Sequence, residues 1–263
     1  MSDAGQAHII AIANQKGGVG KTTTAINLAA ALTEQGKKVL VIDLDPQGNA
    51  STGLGVSPEA RDFTTYDLLI EAMPLDDIVM PTRIDGLSIC CATQDLASAD
   101  IQLVANEKRS LLLREALHAG LPQFDFDYVL IDCPPSLSLL TVNAMIAADS
   151  VLVPLQSEFY ALEGLSQLML TIRQVRQTAN PDLRIEGVLL TMYDGRNNLS
   201  QQVEADAREN LGELVFRTII PRNVRVSEAP SFAMPVLSYD SNSRGSLAYR
   251  SLAQEMADRH ARV

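Results

Sequence analysis

The feature that most constrains this chain is a short apolar run, His8 to Asn14, that gives way at once to Gln15-Lys16-Gly17-Gly18-Val19-Gly20-Lys21-Thr22-Thr23 and then to a helical pattern. A strand, a glycine-rich loop and a helix opening on Lys-Thr form a unit built around phosphate. The glycines let successive backbone N–H groups turn inward, and the helix N-terminus adds positive potential. Lys21 has the reach to meet β- and γ-phosphate oxygens, and the Thr22 hydroxyl is placed for Mg²⁺. A turn without a ligand has no reason to put Lys-Thr at that offset. The dinucleotide fingerprint fails on the same residues. After Gly18-x-Gly20 it wants a third small residue where Thr23 stands, and Lys21 would crowd a pyrophosphate.

The rest of the chain alternates. His8 to Asn14, Lys38 to Asp43, Leu87 to Ala92, Tyr128 to Asp132, Ser150 to Pro154, Ile185 to Met192 and Leu214 to Ile220 are short, β-branched apolar runs that read as buried strands. Between most of them lie amphipathic stretches: Thr23 to Gln35, Lys108 to Ala119, Leu137 to Ala147, Ala161 to Thr178 and Leu199 to Leu211. This pattern predicts an α/β fold: a doubly wound, mainly parallel sheet with helices on both faces, of the P-loop NTPase type, with ligands beyond the carboxyl ends of the strands. No repeat, low-complexity segment or linker divides residues 1 to 263, so a single domain is expected. Asp45 to Phe63 and Arg222 to Arg244 are irregular and rich in Gly, Pro, Ser and Asn, as functional loops are. Ser243 to Arg259 carries Leu247, Ala248, Leu252, Ala253 and Met256 at helical spacing and reads as a core-docked terminal helix. It lacks the bulky apolar face and Lys-rich polar face of a membrane-surface helix.

Composition narrows the function classes. No apolar run approaches the roughly 20 residues of a membrane-spanning helix, and Met1 to His8 is polar rather than a signal peptide, so a cytoplasmic protein is expected. The three cysteines, Cys90, Cys91 and Cys133, offer neither a disulfide framework nor a C-x-x-C metal spacing. A net charge of −11 argues at first against a nucleic-acid partner, but it is unevenly spread. Residues 1 to 186 hold 12 Lys/Arg against 23 Asp/Glu, whereas residues 187 to 263 hold 9 of each, and those cations are all Arg.

Two departures from the ordinary phosphate loop are informative: Gln15 stands where its first Gly belongs, and an additional lysine, Lys16, follows. Lys16-Gly17-Gly18-Val19-Gly20-Lys21-Thr22 resembles the deviant Walker A box of the ParA/MinD superfamily. Val41-Ile42-Asp43-Leu44-Asp45-Pro46-Gln47-Gly48-Asn49 resembles that superfamily's switch I, and Tyr128-Val129-Leu130-Ile131-Asp132-Cys133-Pro134-Pro135-Ser136 its Walker B strand and switch II. Two later runs, Gly187 to Asp194 and Ile220 to Ser231, resemble chromosomal ParA (Soj-type) partition ATPases in particular.

The resemblance implies ATP and Mg²⁺ as ligands, Lys16 acting across a nucleotide-sandwich homodimer, and binding to non-specific double-stranded DNA in the triphosphate state. It also implies hydrolysis stimulated by a ParB-type centromere-binding partner, and a place on the nucleoid. On this reading Lys16 and Asp45 are catalytic, and Lys16, Gly17, Gly18, Val19, Gly20, Lys21, Thr22 and Thr23 bind nucleotide. Met192, Pro221 and Asn223 are candidates near the adenine. Thr22 and Asp132 are the metal residues, since a carboxylate ending an apolar strand needs a cation or hydrogen-bond partner. Asp45 follows another apolar strand and could orient the attacking water, with Asp43, one strand period earlier, an open rival. Arg196, Arg222, Arg225, Arg244 and Arg250 supply cations, with only Glu228 and Asp240 as acids between Arg222 and Arg250; Arg196, Arg222, Arg225 and Arg250 are the candidate DNA contacts. Two copies of a modest basic patch, joined by ATP, could hold phosphates that one acidic monomer cannot. Other members of the superfold fit less well. A septum-positioning membrane ATPase needs an amphipathic anchor, an iron protein needs properly placed cluster cysteines, and a metabolic ligase such as dethiobiotin synthetase does not share the partition-like C-terminal runs.

Overall fold

The computed structural model describes residues 7–103, 108–158 and 161–261, so the reading of Met1 to Gln6 lies outside it. Strand and helix alternate from the start. The elements are β1 (His8–Ile12), α1 (Lys21–Glu34), β2 (Val39–Asp43), α2 (Asn49–Gly53), α3 (Thr65–Ile70), α4 (Leu75–Ile78), β3 (Met80–Pro81), β4 (Leu87–Cys90), α5 (Leu96–Gln102), α6 (Leu112–Gly120) and β5 (Tyr128–Asp132). They continue with α7 (Leu139–Ala147), β6 (Ser150–Gln156), α8 (Ala161–Thr178), β7 (Arg184–Thr191), α9 (Asn198–Leu211), α10 (Val224–Glu228), α11 (Val236–Tyr239) and α12 (Arg244–His260).

Among the described residues the strands form one sheet in the order β3-β4-β2-β5-β1-β6-β7, parallel except for the two-residue edge strand β3. The doubly wound architecture follows from the strand sequences. Buried on both faces, each strand sends alternate residues into two separate cores. Ile9 and Ala11 face the layer of α6, α7 and α8, while Ile10 and Ile12 face α1 and α12. Cys90 and Cys91 divide in the same way, and Cys133 joins the first layer; burial pushes all three thiols above their usual range. They are packing residues.

Two expectations change. Leu214 to Ile220 does not become a strand. It touches β7 at a single bridge, Val188 with Val215, because the N–H groups of Arg217 and Thr218 turn away to the Glu255 carboxylate, both at 2.8 Å. Ladder donors committed to a side chain cannot extend a sheet. The terminal helix does dock, but through Tyr249, Leu252, Ala253 and Met256, while Leu247 is 53% exposed. Tyr249, not Leu247, fills the core position. The two irregular segments are also partly ordered, by α2 in the first and by α10 and α11 in the second.

The register positions the site. Ile12, Asp43 and Asp132 lie side by side at the carboxyl ends of β1, β2 and β5. The glycine-rich loop leaves β1 at that same end, between β5 and β6.

Candidate active site

The loop from Ala13 to Gly20 is held from beneath. Asn14 donates through Nδ2 to the Pro154 carbonyl at 2.7 Å and accepts the Lys16 N–H at 3.1 Å, so one buried amide joins the loop to β6. Thr191, at the end of β7, donates to the Val19 carbonyl at 2.8 Å. Gly18 and Gly20 have φ of +75° and +88°, conformations that side-chain-bearing residues rarely adopt, and Gly20 delivers the chain into α1. Lys21, 6% exposed, donates through Nζ to the Lys16 carbonyl at 3.1 Å. Burial holds its ammonium below the usual lysine range, offset in part by Asp132 and Asp45.

A cavity of about 330 Å³ opens above the loop, lined by Gly17, Gly18, Gly20, Lys21, Thr22, Thr23, Asp45, Gln47, Asn49, Pro135 and Met192. Three segments distant in sequence therefore meet the loop: the one after β2, the one after β5 and the end of β7. Lys16 and Val19 do not line the cavity. Val19 is buried, and the Lys16 ammonium is ion-paired with Glu158, just beyond β6.

The three carboxylates separate clearly. Asp43 is fully buried and spends its oxygens locally. Oδ2 accepts the Ser51 N–H at 2.9 Å and the Ser51 hydroxyl at 2.7 Å, and Oδ1 accepts the Asp45 N–H at 3.2 Å. Asp45 accepts the Gln47 N–H at 3.0 Å and faces the cavity. Asp132 is fully buried with both carboxylate oxygens unpartnered. Burial, and then the charge of Asp43, push its carboxyl well above the usual range; Thr22 and Lys21 offset only part of this. Such a group is an incomplete site, and a divalent cation is the partner its chemistry wants.

Met192, at φ +49°, joins the lining, with its Cε beside Gly20. Pro221 and Asn223 do not. Pro221 bridges to Tyr193, and the Asn223 side chain caps α10 by accepting the Arg225 N–H at 2.9 Å. Glu158 carried no motif signal, because it reaches the loop from beyond β6, and Asn14 and Thr191 read only as residues at the ends of strands. Gln47 and Asn49 stood inside the switch I run without a role of their own.

Comparison with known proteins decides the family. An AAA domain family matches residues 7–185. Over 251 residues the chain is 57% identical to the chromosome partitioning protein ParA of Caulobacter vibrioides, covering 95% of this chain and 94% of the relative. Over 249 residues it is 51% identical to the sporulation initiation inhibitor protein Soj of Bacillus subtilis, covering 95% and 98%. The chain belongs to the ParA/Soj family of chromosome-partitioning ATPases. Among solved structures it is similar to the Mycobacterium smegmatis protein described as cobyrinic acid a,c-diamide synthase with bound ADP and magnesium. That likeness has a TM-score of 0.81 and 39% identity, and covers 95% of this chain and 93% of that one.

The arginines expected of a ParA/Soj chain differ in freedom. Arg196 is 91% exposed and forks onto its neighbour Asp194, with both bonds at 3.1 Å. Arg222 is exposed, and its charge also reaches Asp194. Arg225 is tied to Glu228 at 2.9 Å and to Asp240 at 3.2 Å, the two acids that interrupt the basic stretch. Arg250 forks onto Glu34 at the end of α1 and also bonds Ser241, so in this chain it is a strut between α12 and α1 rather than an open cation. Among the described residues, no helix is long and apolar enough to cross a membrane.

Proposed function

We propose that this chain, acting as one domain over residues 1–263, is an ATP-driven DNA-segregation switch. The carrying observation is the convergence of a glycine cradle, Lys21, Thr22 and Asp45 on one cavity, with the unpartnered carboxylate of Asp132 at the neighbouring strand end. Gly17 to Thr23 bind the phosphates of ATP, with Lys21 at the β- and γ-oxygens. Thr22 and Asp132 would hold Mg²⁺. The ion supplies positive charge against the phosphate oxygens when bound. Asp45 orients the attacking water, a role for which Asp43 is poorly suited because Ser51 and the Asp45 N–H occupy its oxygens. Met192 lies nearest the loop among the adenine candidates.

ATP joins two copies into a sandwich in which each Lys16 leaves Glu158 and reaches the other copy's phosphates. The dimer binds non-specific double-stranded DNA on the nucleoid. Hydrolysis, stimulated by a ParB-type centromere-binding partner, releases it. Arg196 and Arg222 are the better placed phosphate contacts; Arg225 and Arg250 reach phosphate only by giving up Glu228, Asp240 and Glu34.

The name of the Mycobacterium smegmatis relative favours a second reading, a P-loop metabolic ligase. DNA retention measured with ADP, ATP and a non-hydrolysable analogue separates the two. Retention only with triphosphate supports the switch, and no retention in any state rejects it.

A further inference from the structure

At the end of the sheet remote from the phosphate loop, the first residues of four strands meet the last turn of α12. His8, Tyr128 and Ser150 begin β1, β5 and β6, Glu186 lies near the start of β7, and His260 ends α12. Two of the chain's three histidines converge there on one carboxylate. His260 Nε2 lies 2.9 Å from Glu186 Oε1, and His8 Nε2 lies 3.5 Å from Glu186 Oε2. Ligand atoms of the three residues all fall within 4.8 Å of one another, and no other such group occurs among the described residues.

His260 is set as metal-binding imidazoles are, with one ring nitrogen toward the ion and the other fixed by an oxygen partner. His260 Nδ1 lies 3.2 Å from the Tyr128 hydroxyl, and His8 Nδ1 lies 3.6 Å from Asp149 Oδ2. The Ser150 hydroxyl donates to Glu186 Oε2 at 2.8 Å and lies 3.3 Å from His8 Nε2. Nitrogen and oxygen ligands about 2.0–2.1 Å from a tetrahedral zinc ion sit roughly 3.3 Å apart. The separations of 2.9 and 3.5 Å, each to a different oxygen of Glu186, lie within about 0.4 Å of that spacing. Glu186 is only 6% exposed, but the imidazoles are 32% and 26% exposed, leaving a route for the ion and a fourth position for water. Two imidazoles and one carboxylate suit Zn²⁺ far better than Mg²⁺, which prefers all-oxygen shells.

We propose that His8, Glu186 and His260 form a Zn²⁺ site that fastens the end of α12 to the floor of the sheet. Because α12 packs along α1, the helix that opens on Lys21 and Thr22, occupancy braces the layer behind the phosphate loop.

Zinc titration of tag-free full-length protein, with Mg²⁺ in large excess to occupy the oxygen-rich site, tests this. One zinc per chain and a zinc-dependent rise in Tm are expected. His8→Gln and His260→Gln each weaken binding at least about tenfold, Tyr128→Phe weakens it by roughly 10–100-fold, and His118→Gln, at the remaining histidine, changes nothing. Zinc absorption spectroscopy on the unaltered protein, which depends on no variant, should show two imidazoles and no sulfur. If the parent chain shows no saturable binding, the cluster is only a hydrogen-bonded ion pair and the site is overturned. Unchanged affinity in both histidine variants, or sulfur in the shell, overturns it as well.

Discussion

Lys16 and Glu158 form an ion pair beside the phosphate cavity, holding the additional lysine of the loop against the segment that follows β6. In a single chain, therefore, the lysine proposed to act on a second copy is already occupied. Both side chains are more than a third exposed, and a pair of that kind contributes up to about 1 kcal/mol. Glu158→Gln is expected to lower the protein concentration at which ATP-dependent dimers form by at most about thirtyfold, about fivefold for each of the two pairs released, with ATP affinity unchanged. Sedimentation at a series of protein concentrations checks this, and an unchanged midpoint means the pair does not restrain Lys16.

The two loop lysines should be separable. Lys21→Ala removes the buried cation under the cradle and is expected to abolish triphosphate binding. Lys16→Ala should keep measurable binding while losing dimer-dependent hydrolysis. Equal loss of ATP affinity in both variants would falsify the trans-acting role of Lys16.

Asp43 and Asp45 should fail in different ways. Asp45→Ala leaves the cradle intact and is expected to slow turnover on the order of 10²-fold at near-normal ATP affinity. Asp43→Ala strands the Ser51 N–H and hydroxyl in a buried place and is expected to cost about 1–3 kcal/mol of stability. Denaturant unfolding and steady-state turnover on both variants decide the assignment. Parent-like turnover in Asp45→Ala removes it from the catalytic role.

Asp132→Asn should stabilise the nucleotide-free chain while weakening its response to Mg²⁺. The native carboxyl is buried beside Asp43, and Thr22 and Lys21 offset only part of its desolvation, so an amide in its place relieves about 1–3 kcal/mol. A rise in apo Tm, together with loss of the Mg²⁺-dependent gain in ATP affinity, is the expected pair of results. A fall in apo Tm means that Thr22 and Lys21 already compensate the carboxyl, and rejects the incomplete site.

Arg196→Ala and Arg222→Ala are expected to weaken binding to all DNA sequences alike, because phosphate contacts carry no base information. Each should lower the salt slope by roughly 1 per contact, or about 2 for a symmetric dimer. Arg250→Ala should act first on stability, by up to about 1 kcal/mol, through loss of the Glu34 fork. If DNA affinity falls only in step with dimerisation, these arginines serve the dimer and the DNA surface lies elsewhere.

Local sequence determined the phosphate loop, the parallel α/β architecture and the family, because each depends on neighbours in the chain. Gly18 and Gly20 supply left-handed turns where they stand, and Val129 to Ile131 are apolar because both faces of that strand are buried. Tertiary structure alone decided what the charged and polar groups do. Asp43 and Asp45 look alike in sequence, and only the approach of Ser51 from α2 occupies the first and leaves the second facing the cavity. Arg250 reads as an available cation until Glu34 arrives from α1, and Leu214 to Ile220 reads as a strand until Glu255 takes two of its N–H groups. The gathering of His8 and His260 on Glu186 has no local signal at all, since it joins opposite ends of the chain through the register of β1, β6 and β7. Backbone periodicity is written residue by residue, whereas the partner of a charge is chosen by whatever the fold brings within a few ångströms of it.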